Sequence, residues 1–345
     1  VWFRLPVALF IITYLILLLK ERSSDAPNLS KRAREVEVEE EYLMYEPPIA
    51  PDIKGQPFYS VDASFALSLL PLLIKLTPDD LNQFVFVTAI TGQYYQRVTR
   101  LIASVQKHFP RIKLIVYDLE LTELQVQKLS ELCMVEVRKF PFEKYPAHVR
   151  KIHSYAFKPL IFAEVFKDDR VKGVFWADSS IRLKTNDTSH LHKVAMRSDG
   201  MAAFTGTGHS VFAVTIEEMF HYLPMVKDPR VKECIVATSI LMYRTEKVVN
   251  DVLKWWVACA LSKECIWNRA YSNCPFTHRG QNRWTEFGHC SRYDQSALSI
   301  ILYNAYADSD DFLAYRLWKY LHGSFLDIVR SDRMSYDAKT CRILH

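Results

Sequence analysis

Two short segments set polar, titratable side chains directly against apolar runs. In Phe175-Trp176-Ala177-Asp178-Ser179-Ser180-Ile181-Arg182-Leu183 an apolar strand ends on an aspartate followed by a pair of serines. A carboxylate at the carboxyl end of a strand, in the crevice of a parallel sheet, is well placed to hold a divalent cation against a diphosphate. The hard oxygens of Asp178 and Ser180 suit Mn²⁺ or Mg²⁺. Asp178 has a second reading as a turn residue that caps the next segment, and spacing alone leaves both open. In His289-Cys290-Ser291-Arg292-Tyr293-Asp294-Gln295-Ser296, Asp294 stands just before the apolar helical run Ala297 to Tyr303. It is either an early acidic residue facing the helix dipole or a general base or acceptor-binding carboxylate. Cys274, His278, His289 and Cys290 share one stretch, but without the tight pair spacing of a zinc finger, so disulfides account for these cysteines better than zinc does.

These residues need a scaffold, and the flanking pattern supplies an alternating one. Phe84 to Ala89, Lys113 to Tyr117, Val135 to Arg138 and Val171 to Trp176 read as buried strands. Between them, Tyr95 to His108 shows helical spacing at Val98, Leu101, Ile102 and Val105, Leu124 to Leu132 follows Thr122 and Glu123 as a helix start, and Ala156 to Phe166 is a third helix. A βαβαβ series implies a parallel sheet with right-handed crossovers and a ligand site at the carboxyl ends of its strands. Only Gly92 follows the first strand, so a dinucleotide-binding GxGxxG is absent. Met201 to Thr207, Val236 to Tyr243 and the helix Lys247 to Leu261 continue the domain, and Trp267 to Arg292 reads as a long irregular loop. The apolar stretch Phe65 to Leu76 reads as a helix packed on the domain.

The 345 residues carry 44 basic and 39 acidic side chains, a formal charge of +5, and 49% hydrophobic residues. The charge is dispersed, with no arginine-rich arm, so nucleic acid is not the expected partner. Leu5 to Leu19 is uncharged and, with the residues before it, approaches the roughly 20 that span a bilayer. Lys20, Glu21 and Arg22 follow in place of a small-residue cleavage site, which favours an uncleaved signal anchor over residues 1–20. Residues 21–60 read as a polar, proline-containing stem, and 61–345 as the folded domain. Six of the seven cysteines crowd into the C-terminal third, and Asn28 and Asn186 head N-glycosylation sequons. Both features suit the lumen of the secretory pathway. With an odd cysteine count, Cys133 is the expected buried free thiol.

The order of FVTA, YDL, SYAFKPLIF, WADSSIRL, ATSILMYR and RYDQSALSIILYNAY resembles a nematode-expanded, uncharacterised family of type II membrane proteins that is similar in turn to GT-A glycosyltransferases. The resemblance covers roughly residues 80–330 and implies a Rossmann-type α/β fold with a mixed, mainly parallel sheet. A nucleotide-sugar half would occupy about 80–185 and an acceptor half about 186–330. It further implies transfer of a sugar from a nucleotide diphosphate donor to a glycan or glycoprotein in the Golgi or ER, with Mn²⁺ or Mg²⁺ as cofactor; the alternative is an inactive relative that binds glycans or a partner. By position, Asp178 matches the first aspartate of the family's Asp-x-Asp motif and Ser180 replaces the second. The resemblance makes Asp294 the catalytic base and puts Thr88 and Asp118 near the nucleoside. Lys158 and Arg182 fall near the leaving diphosphate, with solvated surface roles as the ordinary alternative, and His322 is a further candidate metal ligand.

Overall fold

The computed structural model describes residues 59–68, 73–267, 274, 282–316, 325–330 and 338–341. The anchor, the stem as far as residue 58, Asn28, His278 and His322 lie outside them. Among the described residues no helix is long and apolar enough to cross a membrane.

The strands are β1 (Phe84–Thr91), β2 (Leu114–Glu120), β3 (Val135–Lys139), β4 (Gly173–Ala177), β5 (Ile181–Leu183), β6 (Met201–Thr205), β7 (Val236–Tyr243), β8 (Leu313–Arg316) and β9 (Leu326–Ile328). The principal helices are α1 (Tyr95–His108), α2 (Glu123–Ser130), α3 (Phe157–Phe166), α4 (Ser189–Arg197), α5 (Lys254–Leu261) and α6 (Asp294–Ala305). Seven strands form one sheet in the order β3-β2-β1-β4-β7-β6-β8, and β5 pairs with β9 in a separate ribbon. The contacts of β1 with β2 and β4, of β2 with β3 and of β6 with β8 are parallel. Strand β7 runs antiparallel to both β4 and β6. The sheet is thus mixed and mainly parallel.

Two features of this order create a site. From β1 the chain moves outward through β2 and β3, then returns to place β4 on the other side of β1, so the crossovers diverge between β1 and β4. Open α/β sheets bind ligands in such a crevice, outside the carboxyl ends of the strands. Because β7 is antiparallel, its first residues arrive at that same edge, with Ser239 opposite Ala177.

Side-chain alternation divides the sheet into two packed faces. On one, Phe86 contacts Phe109 beyond α1 and Phe175 of β4, at centroid distances of 5.1 and 5.2 Å. On the other, Phe162 of α3 lies against Trp176 and Trp256 at 5.9 and 5.6 Å. All of α3 except Glu164 is buried. That accords with its sequence FKPLIFAEVF, which is apolar on every side and so needs partners all round. Pro159 is tolerated because it sits in the first turn, where the N–H it lacks would have no intrahelical acceptor.

Two expectations need correction. The helix expected over Phe65 to Leu76 is confined, among described residues, to Ser64–Leu67. Ile74 instead makes a parallel bridge to Thr245, its amide donating to the Arg244 carbonyl at 3.1 Å, so sheet-edge pairing decides the local conformation. Cys133 is not free: it is bonded to Cys341, while Cys259 pairs with Cys265 and Cys274 with Cys290. The free thiol is Cys234, fully buried, its pKa pushed up to about 12 by that burial. The zinc reading fails with the pairing of Cys274 and Cys290, which leaves no thiolate to bind metal.

The loop leading into α6 is seated by a close backbone approach at Gly288. A β-carbon there would lie 2.1 Å from the Ala213 carbonyl oxygen, where only hydrogen fits. Gly288→Ala is expected to cost about 1–3 kcal/mol, the usual range for overpacking, as read from the urea midpoint.

Candidate functional site

Lys158 lies in the first turn of α3, where the helix dipole disfavours a cation, and it is only 3% exposed. Its position is therefore explicable only through its partners. Its Nζ is 2.7 Å from Asp294 Oδ2 and 3.7 Å from Asp178 Oδ1, and donates to the Ala237 carbonyl at 3.0 Å. The rings of Trp176 and Tyr155 face the same ammonium at 5.2 and 5.5 Å. Tyr155 is the left-handed residue that ends the preceding turn, at φ 54°, and so delivers the chain into α3. Burial opposes the charge on Lys158, but Asp178 and Asp294 outweigh it and hold the lysine pKa above its ordinary value.

Asp178 follows the last residue of β4. Its amide donates to the Thr238 carbonyl at 2.8 Å, and its own carbonyl accepts from Ile181 at 2.9 Å, closing a turn through Ser179 and Ser180. The carboxylate accepts the Trp176 indole N–H at 2.6 Å, and its side chain is 33% exposed. The turn reading of Asp178 is met by its backbone, while its carboxylate faces the Lys158 ammonium.

Asp294 opens α6, where the dipole favours a carboxylate, and Tyr293 before it has a φ of 44°. Asp294 is 3% exposed, and its backbone carbonyl accepts from the Trp256 indole at 3.1 Å. Apart from the Lys158 ion pair, Asp294 Oδ2 has no hydrogen-bond donor among the described residues. Burial raises its pKa from 3.8 to about 6, with Lys158 opposing the rise and Asp178 adding to it. A carboxyl group poised there can accept a proton near neutral pH.

The remaining candidates do not join this cluster. Arg182 is buried in the β5-β9 ribbon, and its Nη1 donates to the carbonyls of Ser179 and Ile181 at 2.7 and 2.6 Å. It clamps the turn after Asp178. Asp118 Oδ1 accepts from the Leu121 amide at 2.6 Å, capping the exit from β2. Thr88 is buried and shares the face of Phe86, opposite to that of Trp176 and Asp178. Ser180 is half-buried in the turn, and Asn186 is exposed in the loop before α4. Sequence reasoning missed Tyr155, Trp176 and the Ala237 carbonyl as partners of Lys158. The signal lay in an aromatic residue three positions before the lysine and another two before Asp178.

The hydroxyls of Thr88, Thr91, Thr238 and Ser239 have no hydrogen-bond partner among the described residues; Thr88 and Ser239 lie on the face away from the cluster, while Thr91 ends β1 and Thr238 adjoins Asp178 through its carbonyl. Buried polar groups are normally satisfied, so Thr91 and Thr238 are positions where a ligand can supply partners. A divalent cation does not fit as well. No group of three His, Cys, Asp or Glu side chains among the described residues could hold a metal ion. Asp178 already serves an indole N–H and faces an ammonium, and Ser180 adds only a neutral hydroxyl.

Residues 71–163, which run from before β1 into α3 and include Lys158, match a family model described as "Protein of unknown function (DUF1647)". A search of curated proteins finds no match. Among solved structures, the chain is similar to the bifunctional glycosyltransferase WbbM in its apo form, with 14% identity over 71% of this chain and a TM-score of 0.41; the chain covers 40% of that protein. It is also similar to the galactosyltransferase LgtC in complex with donor and acceptor sugar analogues, with 14% identity over 67% of this chain and 73% of that one, at a TM-score of 0.37. The glycosyltransferase GlyE of Streptococcus pneumoniae TIGR4 matches at 13% identity over 68% of this chain and 45% of that one, at a TM-score of 0.35.

The raised Asp294 pKa has a sign that can be measured. Between pH 3.8 and about 6 the native chain binds more protons at this group than the unfolded chain does. Its contribution to stability therefore falls as pH rises through that window and is constant above it. Compared with Asp294→Asn, the wild-type chain should lose relative stability from pH 4 to pH 6.5 in urea titrations; parallel curves for the two would show that the carboxyl titrates normally.

Proposed function

We propose that this chain is a glycosyltransferase that moves a sugar from a nucleotide diphosphate donor to a hydroxyl of a glycan or glycoprotein. The observation that carries the reading is the Asp178–Lys158–Asp294 cluster at the carboxyl edge of the sheet, where the crossovers diverge. There the partly exposed Asp178 faces the crevice, and Asp294 has the proton affinity of a general base. Asp294 takes the proton of the acceptor hydroxyl as that oxygen attacks the anomeric carbon, and the nucleotide diphosphate departs. Arg182 contributes by fixing the turn that carries Asp178, and the unpartnered hydroxyls of Thr91 and Thr238 supply polar contacts to the donor.

We place the domain in the lumen of the Golgi or ER, anchored through residues 1–20 as a type II membrane protein. Three disulfides suit an oxidising compartment, and the Asn186 sequon is exposed and so open to glycosylation. A second reading, an inactive glycan- or partner-binding protein, is favoured by the 3% exposure of both Lys158 and Asp294, which makes the pair equally suited to holding helices together.

Turnover separates the two. With a panel of nucleotide sugars and a mixed glycan acceptor, Asp294→Asn should reduce release of the nucleotide diphosphate by about 10²–10⁴-fold, the range for losing a general base. In the wild-type chain kcat/KM should rise with pH through about 6 as Asp294 ionises. Donor binding with no turnover in the wild-type chain would identify the binding protein.

A further inference from the structure

The surroundings of Lys158 form a complete cation site made of protein alone. Two carboxylates, one carbonyl and two aromatic faces converge on its ammonium, at 2.7 and 3.7 Å, 3.0 Å, and 5.2 and 5.5 Å respectively. A divalent cation brought to Asp178 would have to compete with the Trp176 N–H for Oδ1 or approach Oδ2, and in either case would meet a positive charge already held between the carboxylates. Expelling the lysine is not an easy alternative, because it is buried in the first turn of a helix that is itself buried.

We infer that the Lys158 ammonium is the resident cation of this site, that no divalent cation is required there, and that Asp178 meets the donor as a hydrogen-bond acceptor for its hydroxyl groups. This inference rests on the transferase reading for the identity of the donor, though not for the exclusion of metal. A carboxylate that is one-third exposed and has an ammonium 3.7 Å from one of its oxygens is a good acceptor for vicinal hydroxyls of a ribose or a sugar. The same ammonium, 3.7 Å from Asp178 Oδ1, repels Mn²⁺ from that carboxylate. The serine at position 180 is then no defect. Where a second carboxylate would leave excess negative charge beside a lysine-filled site, a hydroxyl adds polarity without charge.

The test uses the purified full chain and two kinds of titration. Mn²⁺ alone is followed by electron paramagnetic resonance and thermal shift, then UDP-glucose and UDP-N-acetylglucosamine are titrated in EDTA and in Mn²⁺. The wild-type chain should bind no Mn²⁺ below millimolar concentration, and its affinity for whichever donor binds should agree within about twofold in the two buffers. Lys158→Ala, which empties the position between the carboxylates, should acquire Mn²⁺ binding that disappears in Lys158→Ala/Asp178→Ala. Stoichiometric Mn²⁺ binding by the wild-type chain that is lost in Asp178→Ala overturns the inference, as does a tenfold or greater gain in donor affinity with Mn²⁺. The wild-type arm decides the matter even where Lys158→Ala fails to fold. Absence of binding by any nucleotide sugar in either buffer counts against the transferase reading, and the Mn²⁺ titration still rules on the metal.

Discussion

A buried ammonium at the start of a helix cannot be held without its anions, and the arrangement of this domain follows from that. Desolvation and the helix dipole both act against Lys158, so Asp294 and Asp178 must approach it for the native state to be tolerable. Those two residues belong to separate parts of the chain. One ends β4 and the other begins α6, and the Ala237 carbonyl of β7 provides the third contact. The ion cluster therefore fixes α3, the centre of the sheet and the last long helix relative to one another. An apolar replacement could fill the same volume, but it would not specify the same docking.

The backbone around the cluster shows how such a set is kept in register. Arg182 ties the carbonyls on either side of Ser180, and the ribbon of β5 with β9 carries that clamp. On the opposite side, the Trp256 indole holds the Asp294 carbonyl, and the amide of Arg292 donates to Val214 at 3.0 Å. Each charged group is thus positioned by neutral neighbours from another element, the usual means by which a polar site is kept stiff.

Much of this was legible in the residues. FVFVTA, KLIVY and the run ending in Trp176 announce buried parallel strands because they are apolar on both faces along most of their length, and the spacing of Val98, Leu101, Ile102 and Val105 marks the buried stripe of α1. The two aspartates stood out by their place at element ends. What stayed hidden depended on distance along the chain. Strand β9 has three residues and finds β5 from far away, and Cys133 meets Cys341 across 208 positions, beyond the reach of any local pattern. Lys158 was visible as a cation, but its burial was not, since a single charge in an apolar run reads as well for a solvated face as for a paired interior. For Thr88, a strand end looked sufficient, whereas the parity of the strand sends it to the other face.

The Cys133–Cys341 bond also sets how the molecule comes apart. Gln106 of α1 accepts the Lys339 amide at 2.7 Å and donates to the carbonyls of Cys133 and Lys339, and Leu132 bridges to Thr340, so the segment around Cys341 is laced to the outer side of the sheet near β3. Five of the seven strands of the sheet, the whole cluster around Lys158 and the loop before α6 lie inside the covalent ring that this bond closes, while β1 and β2 precede it. A protease that nicks the chain anywhere between the two cysteines opens the ring without separating the pieces. The fragments would travel as one band on a non-reducing gel and part only when a thiol is added, giving the domain a way to survive a cut in its exposed loops.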